Sequence, residues 1–65
     1  MFNYSIYIQY DPRDNIFVAN VPELDGCMAH GKTQEQALKE IIIAMRGWLD
    51  VAEKVGIEIP KANVL

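Results

Sequence analysis

Thr33-Gln34-Glu35-Gln36-Ala37-Leu38-Lys39-Glu40-Ile41 opens the segment that decides the fold. A Thr followed three residues later by Gln, just before an apolar run, reads as a capping box: the Thr33 hydroxyl accepts from an orphan N–H of the first turn while Gln36 reaches back. The spacing predicts a helix starting at Thr33. Leu38, Ile41, Ile42, Met45, Trp48, Leu49 and Ala52 follow at three- and four-residue intervals and form a stripe about 120° wide, enough to cover a small sheet. Ala37, Ala44, Val51 and Val55 widen it on one flank, and Ile43 falls near the opposite side. Gly56 is placed to end the helix in an αL cap, so the helix runs from about Thr33 to Val55. Gly47 sits mid-helix, where it costs roughly 1 kcal/mol against alanine, and a close packing contact is expected there in return.

On the N-terminal side the period changes from 3.6 to 2. Phe2, Tyr4, Ile6, Ile8 and Tyr10 alternate with Asn3, Ser5, Tyr7 and Gln9, which predicts a half-buried strand from Phe2 to Tyr10. Asp11-Pro12-Arg13-Asp14-Asn15 collects turn-forming residues and predicts a hairpin. The second strand, Ile16 to Val21, is apolar on both faces, with Ile16 and Val18 on one and Phe17, Ala19 and Val21 on the other. Pro22 ends it, Asp25-Gly26 makes a second turn, and Cys27 to His30 is a short third strand. Beyond the helix, Ile57-Glu58-Ile59 alternates and is a candidate short fourth strand. The fold class is therefore α+β: a three-stranded antiparallel β-meander packed by one long helix.

The whole chain, 65 residues, fits a single domain over 1–65. A domain this short buries only about 60% of its unfolded surface, so homo-oligomerisation is expected to supplement its core. With 51% hydrophobic and 23% charged residues, the composition excludes a disordered or low-complexity chain. The net charge of −3 opposes unaided nucleic-acid binding, which runs on Lys and Arg neutralising phosphates. No apolar run approaches the ~20 residues of a membrane span, and the N-terminus lacks the basic-then-apolar order of a signal peptide. The one cysteine, Cys27, cannot form an intramolecular disulfide, so a reducing, cytoplasmic location is expected.

Residues of catalytic or ligating type do not assemble into a site. Cys27 and His30 have metal-ligand and nucleophile chemistry, but their opposite parity on a strand points them to opposite faces. A tetrahedral metal site would need further ligands, and no second Cys or His exists. Asp11, Asp14, Glu23 and Asp25 are flanked by turn formers, where carboxylates cap turns or face water. Gly26, Gly31, Lys32 and Thr33 have the Gly-x4-Gly-Lys-Thr spacing of a phosphate loop, but Cys27 to His30 between the glycines reads as a strand, so Gly31-Lys32-Thr33 is more simply a turn feeding a helix cap. Trp48 belongs to the helix stripe and is expected to pack in the core. Neither an enzyme nor a cofactor or metal is expected.

Several ordered pieces nonetheless form a recognisable whole: Val21-Pro22-Glu23-Leu24-Asp25-Gly26-Cys27, Ala29-His30-Gly31-Lys32-Thr33, Glu35-Gln36-Ala37-Leu38, Trp48-Leu49, and Gly56-Ile57-Glu58-Ile59-Pro60. Together they resemble the HicB family, the antitoxin component of bacterial and archaeal HicA–HicB toxin–antitoxin pairs, including its short stand-alone members. The signature lies in Pro22, Leu24, Gly26 and Cys27, followed by Gly31 and the helix-capping Thr33. Glu23 stands where the family often has Asp, and Asp25 where it often has Pro; both remain turn-compatible.

The resemblance implies a HicB-like partial ribonuclease H fold and a type II antitoxin-like module that occludes the active site of a small basic HicA-type RNA-cleaving toxin. Nuclease chemistry is not expected of this chain, because such folds use carboxylates converging on two metal ions and Phe2 to Tyr10 carries no acidic residue. Longer HicB antitoxins add a C-terminal ribbon-helix-helix or helix-turn-helix segment that this sequence lacks up to Leu65, so operator binding is not expected either. The alternative is a stand-alone HicB-like homo-oligomeric module, regulatory or structural, without a toxin. For a toxin partner, Asp11, Asp14, Glu23 and Asp25 are expected to rim the open sheet face at both ends, with Tyr7 near its apolar centre.

Overall fold

In a computed structural model, which describes residues 4–60, the order is β1 (Tyr7–Asp11), β2 (Ile16–Asn20), β3 (Met28–Gly31) and α1 (Gln34–Val55). The three strands form one antiparallel sheet in the order β1-β2-β3. The expected meander with one long helix is the architecture observed.

The register assigns the two faces. Ile8, Ala19 and Ala29 form one cross-strand row and Tyr10, Phe17 and Gly31 the next, both facing the helix. Tyr7, Asn20 and Met28, then Gln9, Val18 and His30, alternate onto the other face, which no element covers among the described residues. The helix lies chiefly over β3. Its Ala37, Ile41 and Met45 form one buried cluster with Ala19, Val21, Leu24 and Cys27, and Ala52 is buried farther along the helix. The buried stripe is thus centred closer to the alanines than the large side chains predict, and Leu38 is left 39% exposed. Small residues at the contact let helix and sheet approach closely, and three short strands are too narrow to cover both flanks.

Gly31 sets that approach. A Cβ at this position would lie 2.6 Å from the Ala37 nitrogen and 2.9 Å from the Gln36 carbonyl carbon, both backbone atoms that cannot move aside. Two residues later Thr33 caps the helix, its hydroxyl accepting from the Gln36 N–H at 3.0 Å. Gln36 does reach back, but to the N–H of Lys32 at 2.8 Å, one residue before the cap. At the other end Gly56 takes φ 79°, and its N–H donates to the Ala52 carbonyl, as does that of Ile57 at 2.9 Å.

Four expectations are corrected. The first strand begins at Tyr7, and its expected start at Phe2 lies outside the described residues. Continuing the register would set Ser5 opposite Pro22, which has no N–H to give a ladder. The second strand ends at Asn20 and the third is shifted by one residue, because Cys27 donates its N–H to Leu24 and so closes the loop. Ile57–Ile59 forms no strand: after the αL turn at Gly56 the segment joins neither edge of the sheet, and the Tyr4 hydroxyl donates to the Pro60 carbonyl at 2.6 Å. Gly47 has no close contact, since a Cβ there would meet nothing within 4 Å.

Opposite responses to the same substitution follow. In dilute protein, Gly31→Ala should lower unfolding stability by about 2–3 kcal/mol through forced separation of helix and strand. Gly47→Ala should raise it by up to about 1 kcal/mol through helix propensity. Urea unfolding followed by circular dichroism measures both.

Candidate binding face

The segment Val21–Cys27 packs back on itself through three backbone bonds: Val21 N–H to Cys27 carbonyl (3.1 Å), Leu24 N–H to Val21 carbonyl (3.1 Å) and Cys27 N–H to Leu24 carbonyl (3.0 Å). Gly26 turns with φ 77°, in the left-handed region that favours glycine. Leu24 and Cys27 drop into the core at 1% and 4% exposure. Pro22 is exposed at the strand end. From the helix, the Trp48 indole N–H donates to the Asp25 carbonyl at 2.8 Å and ties the loop down. The signature residues Pro22, Leu24, Gly26, Cys27, Gly31 and Thr33 therefore each have a position in building the fold.

Cys27 and His30 part as strand parity requires: Cys27 is buried, while His30 is exposed on the open face. Burial pushes the Cys27 thiol above its ordinary pKa, which keeps it protonated and unreactive. Among the described residues no three His, Cys, Asp or Glu side chains lie close enough together to hold a metal ion, and no helix is long and apolar enough to cross a membrane.

The open sheet face mixes apolar and polar side chains. Tyr7 and Met28 are 57% and 61% exposed at one end, Val18 and Ile16 are half-buried along the middle strand, and Gln9 and His30 flank them. The β1–β2 turn carries Asp11 and Asp14, and the β2–β3 loop, at the other end of the strands, carries Glu23 and Asp25.

The four acids divide into two kinds. The Asp11 carboxylate accepts from the Arg13 N–H at 3.0 Å and pairs with the Arg13 guanidinium at 3.4 Å. Those contacts, the backbone bond first, hold its pKa below the ordinary carboxylate value. Asn15 completes this turn in a left-handed conformation, φ 54°, and its side-chain carbonyl accepts from the Tyr10 hydroxyl. Glu23 accepts from the Ser5 N–H through both carboxylate oxygens, at 3.1 and 3.0 Å, and from the Ser5 hydroxyl at 3.0 Å. Its side chain takes over where the proline-broken ladder stops. Asp14 and Asp25 are exposed. Sequence reasoning missed the Glu23–Ser5 and Trp48–Asp25 bonds, which join residues 18 and 23 positions apart with no local pattern to announce them.

A family model described as UPF0150-like matches residues 7–60. A UPF0150 protein of Thermoplasma acidophilum is 38% identical over 60 residues, which cover 92% of this chain and 86% of that relative. A UPF0150 protein of a Synechocystis strain is 40% identical over 58 residues, covering 89% of this chain and 78% of the relative. No solved structure matches the chain.

Two measurements test the assigned structural roles. Glu23→Ala should cost about 1–3 kcal/mol of unfolding free energy by orphaning the Ser5 donors. Cys27 should react with DTNB at neutral pH only as fast as the protein unfolds, and at once in denaturant.

Proposed function

We propose, from the premise that this chain belongs to the UPF0150-like family, that it is a protein-binding module whose open sheet face docks on a small basic protein. The family is shown by a model match over residues 7–60 and by relatives that share most of their length with this chain. The occupant suggested by the resemblance to HicB antitoxins is a HicA-type RNA-cleaving toxin, held with its active site covered.

The observation that carries this reading is the uncovered face itself. From an end row in which exposed Tyr7 and Met28 stand on either side of Asn20, the half-buried apolar pair Val18 and Ile16 continues along β2, with polar Gln9 and His30 flanking Val18. An apolar centre within a polar rim is the anatomy of a protein interface. The nine acidic residues against six basic ones favour a cationic partner. The catalytic alternative has less to draw on, since Cys27 and His30 face opposite ways and Asp11 and Glu23 are engaged with Arg13 and Ser5.

The division among the acids assigns their roles in this reading. Asp11 and Glu23 shape the loops, whereas Asp14 and Asp25, exposed at opposite ends of the sheet, steer the partner. Rim charges act mainly on encounter and central aromatic contacts on dissociation. Stopped-flow binding to the product of a small basic reading frame beside this gene tests both. Asp14→Asn with Asp25→Asn should slow association by about three- to tenfold at low salt and flatten its salt dependence. Tyr7→Ala should speed dissociation by about tenfold or more. Unchanged rates in both variants would overturn the assignment of this face.

A further inference from the structure

The helix carries further apolar residues, from the flank of its sheet-facing stripe round to the opposite side, that the described residues of the protomer leave exposed. Ile43, Val51 and Val55 are 64%, 55% and 62% exposed. With Gly47 they stand at successive four-residue intervals and so form one ridge along the helix. Gly47 makes a notch in that ridge, exposed and with open space where a Cβ would be. Beside it runs a groove of about 540 Å³ lined by Met28, Ala44, Gly47, Trp48, Val51 and Ile57. An exposed apolar ridge beside an apolar groove is a surface prepared for another helix.

Two pairs of positions at equal distances from Gly47 are complementary on this face, although Ala44 and Asp50, three residues away, and Lys39 and Val55, eight away, are not. Four residues away stand Ile43 on one side and Val51 on the other; seven residues away stand Glu40 and Lys54, of opposite charge. An antiparallel two-fold axis through Gly47 would set each Ile43 against Val51 of the second copy and each Glu40 opposite Lys54 of the second copy, and each pairing would occur twice. Glu40 has no ion pair among the described residues, and Lys54 has only the exposed intrahelical contact to Asp50 at 3.3 Å. Such an exposed pair is readily exchanged. A partner of unrelated sequence would gain nothing from this symmetry, whereas a second copy of the chain uses all of it.

We propose that the helix face centred on Gly47 is a two-fold interface that takes the same face of a second copy of this chain. The mid-helix glycine then lets two backbones approach at the axis, and the two open sheet faces stay outside the contact. Of the residues named, only Met28 at the sheet edge borders both surfaces.

Sedimentation equilibrium over a concentration series tests this on the full chain, with circular dichroism to verify that each variant remains helical. The unmodified protein should be a dimer at tens of micromolar. Glu40→Lys and Lys54→Glu alone should each raise the dimer dissociation constant by about fivefold or more, and the double exchange should bring it back to within about twofold. Gly47→Glu, which adds no clash inside the protomer but sets two carboxylates face to face on the axis, should raise it by about tenfold or more. The proposal is overturned by a protein that stays monomeric at those concentrations, by a dimer indifferent to Gly47→Glu, or by a double charge exchange as weak as either single one. Its failure is distinguishable from failure of the sheet-face reading, because Tyr7→Ala reports on that face alone.

Discussion

The fold depends on a missing side chain. The end of β3 and the first turn of the helix approach so closely at Gly31 that a single methyl group would strike the backbone of Gln36 and Ala37. That contact fixes the height of the helix above the sheet, and Ala37, Ala19 and Ala52, all essentially buried, keep the same small spacing along its length. In a domain this size there is little apolar mass to bury, so close approach substitutes for bulk. Thr33 and Gln36 then set the direction of departure by satisfying N–H groups within the same few residues. Strand end, turn and helix start form one rigid corner.

Local chemistry made most of this architecture legible. The Thr33 cap, the Gly56 stop, the hairpin at Pro12–Asn15 and the break at Pro22 are written in residues whose backbone preferences act over one to four positions. What stayed hidden depends on partners distant along the chain. Whether Tyr4 to Ile6 would pair was decided across the sheet, where a proline denies the ladder and the Glu23 side chain replaces it. Alternation makes Ile57–Ile59 a candidate strand, yet after the turn made by Gly56 it pairs with neither edge of the sheet. Of the helix stripe, Ile41, Met45 and Ala52 are buried as the spacing predicts, while Leu38 gives its place to Ala37. Gly47 was read as a point of close contact, and within the protomer it touches nothing.

The acidic residues show why counting charges is a blunt guide to a binding surface. Asp11, Asp14, Glu23 and Asp25 look equivalent in a sequence, each beside a turn former. In the fold, two of them are committed to local geometry, Asp11 with Arg13 and Glu23 with Ser5. The charge of Asp11 is offset by the Arg13 guanidinium beside it, whereas Glu23 keeps its net charge but is fixed in place by its Ser5 donors. Similarly, the residues that make the family recognisable, from Pro22 to Thr33, shape the corner and loop, so resemblance in these positions speaks to folding before it speaks to a ligand. The open sheet face is built from intervening positions that such a motif leaves unspecified.

The bond from the Tyr4 hydroxyl to the Pro60 carbonyl has a consequence for both segments that it joins. It holds the two extremities of the described chain within about the length of one tyrosine side chain, while the sheet and helix lie between them. The segment that leads into the sheet and the segment that leaves the helix are thereby tied to each other, so a change that loosens one at Tyr4 or Pro60 releases the other as well.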